Sequence, residues 1–68
     1  MKVMNVVVNG VPRLVPLGCT TAQIADELRL PVTGVAVAVD GEVVPRGRWD
    51  RALREGAAVE VLTAVQGG

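Results

Sequence analysis

Arg46-Gly47-Arg48-Trp49-Asp50-Arg51-Ala52-Leu53-Arg54-Glu55-Gly56 is the stretch on which the fold turns. It separates two runs that read as strands, and a βαββαβ plan would require a second full helix there. The stretch is too short and too interrupted for one. Pro45 stops the strand before it and Gly56 ends it. Trp49 and Leu53 stand four apart, so a turn or two of helix is the most it can hold.

Working outward toward the end of the chain, a last strand is expected to begin near Ala58 and to run through residues 59–65. Its pattern puts Val59, Val61, Thr63 and Val65 on one face and Glu60, Leu62 and Ala64 on the other. Gln66-Gly67-Gly68 follows. The expected organisation is one domain over residues 1–66 and a flexible Gly-Gly tail at 67–68. Two residues without Cβ atoms resist ordering and form a thin thread that a narrow enzyme channel can admit. At average glycine usage a terminal pair arises by chance in roughly 0.5% of chains, so accident is a poor explanation.

Working outward toward the start, Glu42-Val43-Val44 reads as a short strand returning from an Asp40-Gly41 hairpin turn. Val35-Ala36-Val37-Ala38-Val39 is apolar at every position, as suits a strand covered or occluded on both faces. Residues 21 to about 30 form the one helix, with Ile24, Ala25 and Leu28 on its inner side. Thr20 and Gln23 are spaced as a capping box, and Pro31 is expected to end the helix at Leu30. Val11-Pro12-Arg13-Leu14-Val15-Pro16 contains two prolines that cannot donate to a ladder, so it belongs at a sheet edge. Asn9-Gly10 marks a tight turn between it and a first strand in which Met4, Val6 and Val8 share a face.

This order implies an α+β fold: a mixed five-strand sheet with one helix packed on one face, the β-grasp. The two terminal strands would then pair in parallel at the sheet centre, which accounts for their valine content.

Composition narrows the function classes. Sixty-eight residues make one small domain, half of it apolar, with Trp49 as the only aromatic. Such a core supplies about 3–5 kcal/mol of net stability. Cys19 is the only cysteine and there is no histidine, so no internal disulfide and no recognisable zinc or iron site can be assembled. Seven basic residues balance seven acidic ones, which leaves no global field for nucleic acid. No run is long enough to span a membrane, and the first residues do not make a signal peptide. A soluble cytoplasmic domain is expected, with no enzyme activity of its own, because no nucleophile–base pair is present.

The chain resembles the ThiS family of sulfur carrier proteins, which makes the expected fold the ubiquitin-like β-grasp. The resemblance covers nearly its whole length and is densest in three places. These are Val37-Ala38-Val39-Asp40-Gly41-Glu42-Val43-Val44-Pro45-Arg46, then Trp49, Leu53 and Gly56, then Val59-Glu60-Val61 with Ala64-Val65-Gln66-Gly67-Gly68. Asp40 stands where Asn is common, and Ala57 stands where an Asp usually follows the glycine and caps the turn. The resemblance implies that an E1-like enzyme uses Mg-ATP to adenylate the C-terminal carboxylate. Sulfur from a donor such as a cysteine desulfurase would then leave a thiocarboxylate, which thiazole synthase consumes in thiamine biosynthesis. Gly68 would carry the sulfur and Gly67 would be the thread behind it. The chain itself would bind no cofactor. Carriers serving molybdopterin, cysteine or thiolated-tRNA synthesis, and ubiquitin-like modifiers, need the same thread. A β-grasp interaction or RNA-binding module is the alternative from another class.

Strand parity gives a candidate docking patch of Ala36, Ala38, Leu62 and Ala64, all turned away from the helix. Cys19 precedes the helix cap, where the helix N-terminus would lower its pKa somewhat, yet no base lies near it in sequence, so a structural or incidental role is expected. Arg46, Arg48, Arg51 and Arg54 are interleaved with Asp50 and Glu55 and read as a solvated turn, with docking to an acidic partner left open. Trp49 reads as packing.

Overall fold

A computed structural model of the chain describes residues 2–31 and 33–63. The strand positions expected at 64 and 65, and the Gly67-Gly68 tail, lie outside the described residues. The elements are β1 (Val3–Val8), β2 (Val11–Pro16), α1 (Thr21–Glu27), β3 (Val35–Val39), β4 (Glu42–Val43), a 3₁₀ turn (Arg46–Arg48) and β5 (Ala58–Thr63). They build one five-stranded sheet in the order β2-β1-β5-β3-β4. β1 and β5 are parallel at its centre, and the other pairings are antiparallel. This is the β-grasp, with the proline-bearing β2 at one edge as its missing donors require.

Both hairpins turn where side-chain chemistry dictates. Asn9 and Gly10 have φ of 50° and 81°, and Asp40 and Gly41 have 52° and 86°. Two successive positive φ values define the tight turn that matches strand twist. The two turn side chains also act at a distance. Asn9 Oδ1 accepts from the Val61 amide at 2.8 Å, and Asp40 Oδ1 accepts from the Ala58 amide at 3.0 Å. β5 is longer than the stretch of β1 beside it, so Val61 has no strand partner on that side. The asparagine side chain replaces one.

The helix is shorter than its pattern suggests. It ends at Glu27, with Leu28 as cap, rather than at Leu30. Arg29 adopts φ +56° and donates to Asp26 O, while the Leu30 amide donates to Ala25 O, both at 3.0 Å. These two bonds form a Schellman motif with arginine at the position that favours glycine. The local motif therefore stops the helix before Pro31 can. At its start the capping box is closed in both directions between Thr20 and Gln23. The Ala22 amide, another orphan donor of the first turn, reaches Trp49 O at 2.8 Å.

Seven helical residues extend only about 11 Å, whereas five strands span about 19 Å. Residues 46–56 cover the rest. They contribute the buried Trp49 and Leu53 beside Ile24 and Ala25 of the helix, over Met4, Val6, Val8, Val15, Val37 and Val59 of the sheet. The expected helical turn is in fact a 3₁₀ turn of three residues, followed by irregular chain. Leu53 N donates to Cys19 O at 2.7 Å, and Thr20 and Ala52 form an isolated bridge. The Trp49 indole N–H donates to Val44 O at 3.0 Å, and the Arg46 guanidinium lies 4.3 Å from its ring centroid. The Val44-Pro45-Arg46 and Trp49 signature is thus a local device that seats the one large aromatic. Ala57 is fully buried in the same core, so packing occupies the position where a capping aspartate is usual.

Arg29→Gly removes the cost of a left-handed arginine and should stabilise the fold by about 1 kcal/mol. For a chain of this size that raises Tm by about 4–8 °C in a thermal melt. Asp40 makes a second prediction. Its carboxyl is held below the usual range, first by the Ala58 amide and then by the Arg54 guanidinium, which pairs with it at 3.1 Å. A depressed folded-state pKa stabilises fully above the unfolded value of about 3.9 and is lost as pH falls through the folded value. Asp40→Asn keeps the acceptor for Ala58 but loses the charge. Its Tm should fall below that of the unsubstituted protein at neutral pH, and the two should converge in acid.

Candidate functional site

The helix and the Trp49 segment share one face of the sheet, and no described element covers the other. Alternation along β3 and β5 fixes which residues look that way. Val37 and Val59 are buried on the core side, so Ala36, Ala38, Glu60 and Leu62 project outward. Ala36 is the register partner of Leu62, and Ala38 of Glu60. Leu62 is 52% exposed and Ala36 partly so; together with Gly34, Val35 and Thr63 they line a shallow depression. Ala38 lies on the expected face but is only 9% exposed, between Glu60 on β5 and Val43 on β4, and offers a partner little area. Ala64 lies outside the described residues.

The apolar surface on this face is wider than the four-residue patch read from β3 and β5. Val43, opposite Ala38, is 65% exposed; Leu14, opposite Asn5, is 68% exposed; and Val3 is also exposed. Applying the same parity to β1 and β2 would have found Val3 and Leu14, because Met4 and Val15 are a buried pair on the other side. Glu60 and Asn5 are polar breaks in an otherwise apolar sheet face. A surface of this kind fits a protein partner.

β5 carries this face toward the Gly67-Gly68 end. Its first amide is fixed by Asp40 and its fourth by Asn9, and β1 contributes a continuous ladder. Val7 N donates to Ala57 O at 2.9 Å, Asn9 N to Val59 O at 2.8 Å, and Gly56 N to Asn5 O at 2.7 Å. The Asn5 amide is taken up by the Glu55 carboxylate. Motif reading marked Asn9 and Asp40 as turn residues but not as side-chain acceptors, and it gave Glu55 no acceptor role. The signal for the first two was present, since each is an acceptor-bearing residue at the left-handed position of a turn beside the central strand.

Cys19 is buried, and its thiol pKa is raised, not lowered as its place before the helix suggested. Burial is the larger cause, and the negative charge of Glu27 adds to it. Both effects keep the sulfur protonated and unreactive. Of the arginine cluster, Arg46 is stacked on Trp49 and Arg54 is paired with Asp40. Among the described residues, no group of three or more His, Cys, Asp or Glu side chains gathers where a metal could sit. No described helix is long and apolar enough to cross a membrane.

The comparisons agree with this architecture. The ThiS family model matches residues 2–68, through both terminal glycines. The crystal structure of the thiamine biosynthesis protein (ThiS) from Geobacter metallireducens is similar at 33% sequence identity and a TM-score of 0.75. The match covers 96% of this chain and 100% of that one. No curated protein matches the chain. The chain belongs to the ThiS family, whose members are small sulfur carriers and not catalysts.

Proposed function

We propose that this chain carries sulfur for thiazole formation in thiamine biosynthesis, with the Gly68 carboxylate as the carrying group. The observation that supports this most is the family match continuing through Gly67 and Gly68, joined to a neighbour described by its role in thiamine biosynthesis. An ionised carboxylate, with a pKa of about 3.3–3.7, resists nucleophiles. An E1-like partner using Mg-ATP overcomes this. The Gly68 carboxylate attacks the α-phosphate, pyrophosphate leaves, and an acyl-adenylate remains. A donor such as a cysteine desulfurase hands sulfur on as a persulfide, whose outer sulfur attacks the carbonyl and displaces AMP. A cellular thiol then reduces the resulting acyl disulfide, keeping the donor's sulfur in a disulfide and leaving the thiocarboxylate. The resulting thiocarboxylate is consumed by thiazole synthase. The chain contributes a rigid β5, a tail without Cβ atoms and an apolar face for each partner in turn. The cytoplasm, with its reducing conditions, is the compartment that suits a free thiol and a thiocarboxylate.

Two variants test this reading. Deleting Gly68 places the activated carbonyl one residue short, by roughly 3.3–3.6 Å. Because misplacement by about 1 Å already costs about a hundredfold in rate, ATP–pyrophosphate exchange with the activating enzyme should collapse while Tm is unchanged. Normal exchange by the truncated protein would refute the carrier role. Leu62→Arg puts a charge into the apolar face at an exposed position. Binding to the activating enzyme should weaken with Tm nearly constant, and unfolding or unaltered binding would contradict the assignment of this face.

A further inference from the structure

A second recessed surface lies away from the outer sheet face. It runs along β4 and residues 48–53, and its volume is about 260 Å³. Val39, Val44 and Leu53 give it an apolar lining, and Arg48 and Arg51 stand on its wall. Both arginines are exposed, and among the described residues no ion pair or side-chain hydrogen bond engages either guanidinium. Their neighbours differ. Arg46 is stacked on Trp49 and Arg54 is tied to Asp40, and these contacts hold the loop that presents the other two. Glu42 also lines the groove, but it pairs with neither arginine. The chain as a whole has zero net charge, so this is a local concentration of positive charge and not part of a basic surface.

We propose that this groove docks an acidic segment of a partner protein, with carboxylates on Arg48 and Arg51 and an apolar side chain between them. Charge complementarity with an apolar lining specifies that occupant. Guanidinium groups take carboxylates in bidentate geometry, and the Val39, Val44 and Leu53 surface rewards an apolar residue that a free anion lacks. Nucleic acid is disfavoured because stacking is unavailable: the single aromatic ring is buried under Arg46. The groove is walled mainly by core-side residues and meets the outer face only at Val43 on the edge strand β4, whereas Ala36 and Leu62 project from the opposite side of the sheet. An acidic segment can therefore hold the protein while another partner covers the outer face. This inference does not depend on which pathway uses the tail.

The test is a titration of the isotope-labelled protein, followed by amide NMR, with a capped peptide alternating glutamate and leucine. The proposal expects saturable shifts confined to Val39, Val44, Arg48, Arg51 and Leu53, absent with the matching lysine–leucine peptide. Arg48→Glu with Arg51→Glu should weaken binding by about tenfold or more. Arg48→Gln with Arg51→Gln should weaken it less, with melting temperatures unchanged, and carries the test alone if the charge-reversed pair does not fold. Absence of saturation, equal shifts with the lysine peptide, or undiminished binding by the glutamine pair would overturn it. So would equal or tighter binding of inorganic phosphate or a single-stranded oligonucleotide at the same residues.

Discussion

β5 is the strand on which the rest of this molecule depends, and its security comes from side chains as much as from neighbouring strands. A parallel pair at the centre of a small sheet has few ladder bonds to spare. Here β1 and β5 have only Val7, Val8, Ala58 and Val59 in register. Asn9 extends the ladder beyond the end of β1 by accepting from Val61, and Asp40 holds the start of β5 on the side facing β3 by accepting from Ala58. The two hairpin turns thereby grip the same strand, one from each side. Under the proposed function, with Gly68 as the carrying group, a partner docked on the sheet would have a fixed frame from which to reach the tail.

The same economy governs the core. With one aromatic residue and a seven-residue helix, the sheet would be left half covered. The irregular segment from Arg46 to Gly56 supplies the missing cover. It is bound to the helix start through Ala22, to the loop before it through Cys19, and to β1 through Gly56 and Glu55. Each of these bonds satisfies a backbone group that would otherwise be left unpaired. The signature residues around Pro45 and Trp49 are therefore structural. Any capacity of this region to bind rests on Arg48 and Arg51, which those contacts do not consume.

Much of this was legible in the chain. Strand parity separated the buried valines from Leu62 and Ala36 because side chains alternate without exception in unbroken strands. The Asn-Gly and Asp-Gly pairs, the Thr20–Gln23 box and the two prolines of β2 each carry a local cause that tertiary structure had no reason to override. What was not legible depended on contacts between distant segments. Arg29 ends the helix through bonds back to Ala25 and Asp26, a motif without its customary glycine. Cys19 has a raised pKa because burial, visible only once the core closes, outweighs the helix N-terminus. Ala38 lies on the outer face as parity requires, yet its neighbours across the sheet leave it little exposure. Asp40 was readable as a turn residue, but not as the acceptor that fixes the start of β5.

The central claim is that the end of this chain is converted from carboxylate to thiocarboxylate, and the most direct measurement is the intact mass of the protein after reaction. Incubated with its activating enzyme, Mg-ATP and a sulfur donor, the protein should gain the mass difference between sulfur and oxygen, once per chain. Fragmentation should place the gain on Gly68, and omission of ATP should abolish it. An unchanged mass in the presence of an enzyme that is active with another family member, or a gain placed on Cys19, would contradict the account.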